Sequence, residues 1–273
     1  MNAEVRPLRP SDVDWLAGLH NAAFSDYPVP AVLDPSALGF YLDETGVDAA
    51  LSRVAFVDGE PASFCLGAVR DGRASIRGEG TAPRFRRAGL GRQVLEQTLE
   101  ALSQAGATEV RLEVLNGNDA AVRLYRQAGF EQRRRLLGYS LQRPARRGRA
   151  RLSGGLAECE TEVALRRLTG WGWNDPPWQL DPASLAHLPA HQLDRHAVVL
   201  GKRRGDRFWL YALAVDPERR RRGLATRTLS LLPSAWIGIP ALLPEEWWEA
   251  GALLRALGAM SESHWQWEMR KAL

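Results

Sequence analysis

The chain has 273 residues, enough for two compact domains that each bury a core of their own. Its 45% hydrophobic and 25% charged content is that of an ordinary globular protein and excludes a disordered or fibrous chain. The net charge of +4 comes almost wholly from arginine, since Lys202 and Lys271 are the only lysines, and only a clustered basic patch would turn that excess into an argument for an acidic partner.

Cys65 and Cys159 are too few and too isolated for a disulfide framework or a zinc site, so no metal is expected. Met1 to Arg6 contains no apolar segment of signal length, and no stretch approaches a membrane span. A cytoplasmic protein with no membrane partner is the expectation.

Val5 to Leu8 reads as a short strand, and Ser11 and Asp12 as caps for a helix through Trp15, Leu16 and Leu19. Asn21 to Pro35 is rich in Pro, Asp and aromatics and reads as a loop and second-helix region. Arg53 to Asp58 and Ala62 to Val69 alternate as strands about the turn Asp58-Gly59-Glu60, and Asp71-Gly72 turns the chain into Ala74 to Ala82.

Thr81 to Gly91 then reads Thr-Ala-Pro-Arg-Phe-Arg-Arg-Ala-Gly-Leu-Gly and feeds an amphipathic helix from Ala88 to Ala105. The first backbone N–H groups of such a helix have no intrahelical partner. Gly89 and Gly91 let the main chain approach a ligand, and Arg84, Arg86, Arg87 and Arg92 surround the donors. A phosphate or pyrophosphate suits that combination of donors, helix dipole and charge. A strand over Val110 to Leu115 follows, then a helix Asp119 to Ala128 stopped by Gly129-Phe130, and closing strands over Glu131 to Gln142. The segment from Leu112 to Phe130 has the pattern L-E-V-x-x-x-N-x-x-A-x-x-L-Y-x-x-x-G-F.

The basic segment Arg143 to Gly155, with Pro, Gly and Ser, reads as a linker. No aromatic residues interleave its charges, so nucleic acid is an unlikely partner. Beyond it the composition shifts, and nine of the ten tryptophans lie after residue 170. Gly170 to Trp178 is an irregular loop that covers a pocket or seals a core. His196 to Leu200 and Phe208 to Val215 read as strands. Val215 to Ala225 then repeats Thr81 to Gly91 in register, 134 residues on, and opens a helix through Leu224, Leu229 and Leu232. A strand from Trp236 to Leu242 is interrupted by Gly238 and Pro240. A helix from Glu245 to Leu257 ends at Gly258.

These motifs resemble the GNAT acetyltransferase superfamily, whose pyrophosphate loop reads V-x-P-x-x-R/Q-x-x-G-x-G/A. Arg86, Gly89 and Gly91 match it in the first copy, and Arg220, Gly223 and Ala225 in the second. The resemblance implies an α/β (α+β) protein of two tandem GNAT-like domains, each a mixed, mainly antiparallel sheet flanked by helices. The domains are read as 1–142 and 156–273. It implies an N-acetyltransferase that moves an acetyl group from acetyl-CoA to a primary amine by direct attack, with catalysis in the first domain. The acceptor is then a small-molecule amine or a peptide N-terminus, and the protein a monomer or homodimer. An acetyl-CoA-binding sensor or partner-docking module without turnover is the alternative.

By the same resemblance Thr81, Arg86, Arg87, Ala88, Gly89, Leu90, Gly91, Arg92 and Asn118 hold coenzyme A, and Tyr125 donates the proton to the departing thiolate. An unperturbed tyrosine near 10 is a weaker acid than a thiol near 8.5, and neighbouring Arg123 and Arg126 would lower it. Glu113 and Glu79 are both candidates to take the amine proton. Asn118 also reads as the cap of the helix it precedes, and Phe24, Tyr27 and Tyr41 either line the acceptor site or cover the sheet edge. In the second copy, Val215, Arg220, Arg221, Gly223 and Ala225 mark a vestigial cofactor site, while Leu254 takes the place of Tyr125. The tandem layout resembles mycothiol synthase, but there the C-terminal copy is the catalyst, so that substrate is not carried over.

Overall fold

A computed structural model describes residues 3–28, 32–141, 156–232 and 236–273. The linker read at 143–155 lies outside them. In chain order the elements are β1 (Ala3–Pro7), α1 (Val13–Ala23), α2 (Pro35–Thr45), β2 (Arg53–Val57), β3 (Glu60–Arg70), β4 (Arg73–Thr81), α3 (Leu90–Gln104), β5 (Glu109–Leu115), α4 (Asp119–Gln127) and β6 (Glu131–Ser140). They continue as β7 (Ala157–Cys159), α5 (Thr161–Gly170), α6 (Pro182–Leu185), β8 (Ala190–Leu193), β9 (Ala197–Arg204), β10 (Arg207–Val215), α7 (Leu224–Ser230), β11 (Trp236–Gly238), β12 (Leu243–Pro244), α8 (Trp248–Ala256) and β13 (Met260–Ala272). Two compact units result, Met1–Arg133 with Trp267–Leu273, and Arg134–Gln266. Both are sheets flanked by helices, the fold class read from the sequence. No described helix is long and apolar enough to cross a membrane.

In the first unit two Asp-Gly pairs set the strand register. Asp58 and Gly59 have φ of 50° and 84°, Asp71 and Gly72 have 49° and 73°, and each pair is the whole loop of a hairpin. Positive φ at both central residues is what a two-residue hairpin turn demands. β1 to β4 pair antiparallel in sequence order, and β5 joins β4 in parallel after the α3 crossover.

Alternation along β3 splits the apolar residues between two faces. Phe64 and Leu66 pack with Leu16, Leu19 and Leu38 of α1 and α2. Cys65 joins Ala74, Ile76, Val110 and Leu112 under Val94, Leu95 and Leu102 of α3. Cys65 is thus fully buried in the core.

The closing strands differ from the reading of Glu131 to Gln142. Only β6 comes from that segment, and the strand beside β5 is β13, from the chain's last residues. Met269 is fully buried in the α3 core. Glu268, 1% exposed, accepts from Arg133 at 2.7 Å, and the Leu273 N–H reaches the Thr108 carbonyl at 3.0 Å. The first unit is therefore completed only by residues that follow the whole of the second.

The second unit carries a five-stranded sheet, β11-β10-β9-β8-β7, in which only β10 and β11 are parallel. Phe208, Val198 and Leu200 pack beneath Leu168 of α5 and Leu229 of α7. The strand read from Trp236 to Leu242 is cut to three residues, and β8 and β12 were not anticipated.

Candidate functional site

A bulge in β4 creates the site. Leu66 pairs with Gly78 but Gly67 with Ile76, so Arg77 is an extra residue with no partner in β3. Without it, Ile76 and Glu79 would point to opposite faces of the sheet. With it, Glu79 lies opposite Cys65 and faces the α3 side, as bulges re-aim side chains. The Tyr41 hydroxyl of α2 donates to the Arg77 carbonyl and ties the bulge down. The β4–β5 ladder stops at Ile76–Leu112, while the strands run on to Thr81 and Leu115. Beyond the bulge the two strands part.

The N-terminus of α3 stands over this fork. Gly89 is left-handed at φ 80° and supplies no side-chain cap, and the first helical bond is Gln93 N–H to the Gly89 carbonyl at 3.1 Å. The N–H groups of Leu90, Gly91 and Arg92 are thus left for a ligand. Gly91 is needed for close approach, because a Cβ there would sit 3.0 Å from Glu79 Oε1 and 3.3 Å from Thr81 Oγ1. Thr81 Oγ1 in turn lies 2.8 Å from Ser63 Oγ.

Most of the arginines read as anion ligands are already engaged. Arg84 pairs with Glu60, and Arg92 with Glu96 at 2.7 Å. Arg86 donates to both carboxylate oxygens of Asp26, to the Ala23 carbonyl at 3.0 Å and to the Thr81 carbonyl at 3.2 Å. Its hydrogen bonds hold the Asp26 carboxyl down at about 2. Arg86 is thus a staple between the end of α1 and the turn. Arg87, at φ 65°, has no partner among the described residues.

Beneath the turn, the Tyr125 hydroxyl of α4 donates to Glu79 Oε2 at 3.2 Å. Burial pushes the Glu79 carboxyl up to about 7, and its bond to Tyr125 partly offsets this. Burial, followed by the Glu79 charge, pushes the tyrosine well above its usual value. This corrects the expectation for Arg123 and Arg126. Tyr125 faces inward onto a carboxylate, while the Arg126 guanidinium bonds Gln132.

Glu113 is not brought to this pair. Val110, Leu112 and Val114 of β5 point into the α3 core, so by alternation Glu113 points to the other face. Asn118 accepts from Ala121 N–H at 3.2 Å and caps α4. Its side chain also bonds the Tyr27 hydroxyl, which reaches the Leu115 backbone as well. Phe24 packs on Tyr27, His20 and Phe64. Sequence reasoning missed the bulge. Its one signal was glycine within a strand, Gly78 and Gly80. A Cβ on Gly80 would lie 2.8 Å from Ala23 Cβ of α1.

The second unit repeats the backbone of the turn and two of the bonds that hold it. Arg220 donates to the Val215 carbonyl at 3.3 Å and to the Trp171 carbonyl at the end of α5. Arg221 and Gly223 have φ of 59° and 76°, against 65° and 80° for Arg87 and Gly89. Where the 134-residue offset puts the counterpart of Glu79 stands Leu213, and Leu254 stands for Tyr125. Both leucines, together with Val215, Arg220, Arg221, Gly223 and Ala225, line a cavity of about 680 Å³.

Residues 15–130 match the model of the acetyltransferase (GNAT) family. A mycothiol acetyltransferase of Propionibacterium freudenreichii is 27% identical over 155 residues, 51% of this chain and 46% of that protein. One from Kineococcus radiotolerans is 37% identical over 131 residues, 47% of this chain and 42% of that protein. A ribosomal protein-alanine N-acetyltransferase of Escherichia coli is 33% identical over 75 residues, 28% of this chain and 51% of that protein. The chain spans about half the length of the curated relatives it matches. Among solved structures, a GCN5-related N-acetyltransferase from Sphaerobacter thermophilus superposes with a TM-score of 0.63 at 17% identity, over 99% of this chain and 95% of that one, which shows the fold. The fork and the turn above it lie within the residues, 15–130, that match the acetyltransferase (GNAT) family.

Proposed function

We propose that the first unit transfers an acetyl group from acetyl-CoA to a primary amine by direct attack. The observation that carries this reading is the Tyr125–Glu79 pair, a buried hydroxyl 3.2 Å from a partly buried carboxylate, beneath an uncapped helix N-terminus at a fork between two strands. The turn from Thr81 to Arg92 would take the diphosphate on the N–H groups of α3 and on Arg87, with Arg86 holding the turn in shape. Asn118 would flank the same arm of the coenzyme.

The thioester supplies an activated carbonyl carbon, and the residues supply the protons. Glu79 takes one from the attacking nitrogen as the C–N bond forms, directly or through a water. Tyr125 gives one to the sulfur as the C–S bond breaks. The hydrogen bond between the two then returns the proton from Glu79 to Tyr125, so the pair ends as it began. Protonation of Glu79 also removes the negative charge that helps to make Tyr125 a poor acid, which ties the two transfers together. Glu79 is preferred to Glu113 as base because only Glu79 reaches the tyrosine.

The acceptor class is an amine on a small molecule or at a peptide N-terminus, the latter being what the name of the Escherichia coli relative describes. The test is thiol release from acetyl-CoA across polyamines, aminoglycosides, amino acids and peptide N-termini, with calorimetry of coenzyme A binding alongside. Heat without thiol release would replace the enzyme by a sensor. Absence of heat would remove the diphosphate site itself.

A further inference from the structure

The cavity of the second unit has a chemistry of its own. At about 680 Å³ it has the size of a small-molecule site. The acid–base pair of the first unit is replaced on its wall by Leu213 and Leu254, so it offers no proton donor or acceptor there. Four tryptophans line it, Trp171, Trp173, Trp247 and Trp248, with the Trp173 and Trp247 rings 4.6 Å apart. Such aromatic walls reward an apolar occupant, since burying its surface against them removes apolar area from water.

The wall carries two carboxylates, Glu246 and Glu249, and two guanidiniums, Arg220 and Arg221, which are not all engaged. Glu246 is held by Arg134 at 2.7 Å, and Glu249 lies 3.7 Å from Arg220, which also binds two carbonyls. Arg221 has no partner among the described residues. One cation is left facing an apolar chamber.

We propose that this cavity binds an apolar carboxylate, its chain or ring among the tryptophans and its head group on Arg221, independently of acetyl transfer in the first unit. Coenzyme A is the competing occupant, since the turn is shared.

The experiment titrates hexanoate, octanoate, decanoate, decanol and coenzyme A into the full chain, reading tryptophan fluorescence and heat. Saturable quenching by decanoate is expected, with affinity rising about fourfold per added methylene. Arg221→Gly removes the charge at a left-handed position where glycine is unstrained, and should weaken decanoate at least about tenfold while leaving decanol unchanged. Ala214→Phe, which fills the chamber, should abolish both. Equal binding of decanoate and decanol to the parent chain overturns the carboxylate assignment. Quenching by coenzyme A alone, or by no ligand, overturns the proposal outright. Thiol release by the first unit is unaffected by any of these outcomes, so failure here is distinguishable from failure of the acetyltransferase reading.

Discussion

Replacing Glu79 by Gln tests the candidate mechanism most directly. Burial raises the carboxyl from 4.5 to about 7. If Glu79 must be ionised to accept the amine proton, kcat/KM falls about tenfold for each pH unit below 7 and levels off above about 8. Glu79→Gln should lower the plateau by about 10²–10⁴ and abolish the inflection near 7. The same displacement has a consequence for stability. The folded chain holds the proton more tightly than the unfolded one, so the contribution is full below pH 4.5 and is lost as pH rises to about 7. At about 1.4 kcal/mol per unit the loss is at most about 3 kcal/mol. Glu79→Gln has no such loss, so urea unfolding should give similar stabilities near pH 4.5 and a more stable variant at pH 8. Thiol-release profiles from pH 5.5 to 9 and urea melts at both pH values read the two effects. An inflection near 7 that survives in Glu79→Gln, or a variant less stable than the parent at pH 8, would refute the reasoning.

Three further outcomes follow from the same geometry. Tyr125→Phe should cut turnover about 10²–10⁴-fold, and the acidic limb should move above 7 because the hydroxyl that eases Glu79 ionisation is gone; steady-state pH profiles check both. Gly91→Ala sets a methyl 3.0 Å from Glu79 Oε1, so coenzyme affinity or kcat should fall while thermal stability changes by no more than about 1–3 kcal/mol, as read by calorimetry and melting. A chain ended at Gln266 loses Met269 from the core of the first unit, and it should lose coenzyme binding and the cooperative transition of that unit, seen by calorimetry and near-UV circular dichroism.

The legible parts of this molecule were those whose signals are local. Asp58-Gly59 and Asp71-Gly72 specify hairpins because a two-residue loop tolerates few other residues. The apolar spacing from Leu90 to Leu102 shows α3 directly. What stayed hidden depends on distant partners. β13 runs Met-Ser-Glu-Ser-His-Trp-Gln-Trp-Glu-Met-Arg-Lys-Ala, a polar strand placed between β5 and β6 with one buried methionine in the α3 core and Glu268 paired to Arg133 of β6. Nothing in its own pattern points across 150 residues of chain. Glu113 and Glu79 looked alike as carboxylates on adjacent strands. Alternation along β5 turns Glu113 to the other face, and the extra residue at Arg77 turns Glu79 toward Tyr125.

The two units also make a comparison of what a buried polar pair costs. In the first, a buried tyrosine and a partly buried carboxylate have each other as partners, and the carboxylate is displaced upward. In the second, leucine stands at both positions. Loss of one member alone would have left the other buried without a partner, which costs more than losing both. The fold tolerates two leucines, so packing does not require the polar pair in the first unit, and chemistry is the reason left for it. The cycle Glu79→Leu, Tyr125→Leu and both together measures this. The double variant should be at least as stable as the parent at pH 8 and the Tyr125→Leu variant clearly less so, with a coupling of about 1–3 kcal/mol. Additive single effects would mean that the pair is ordinary packing.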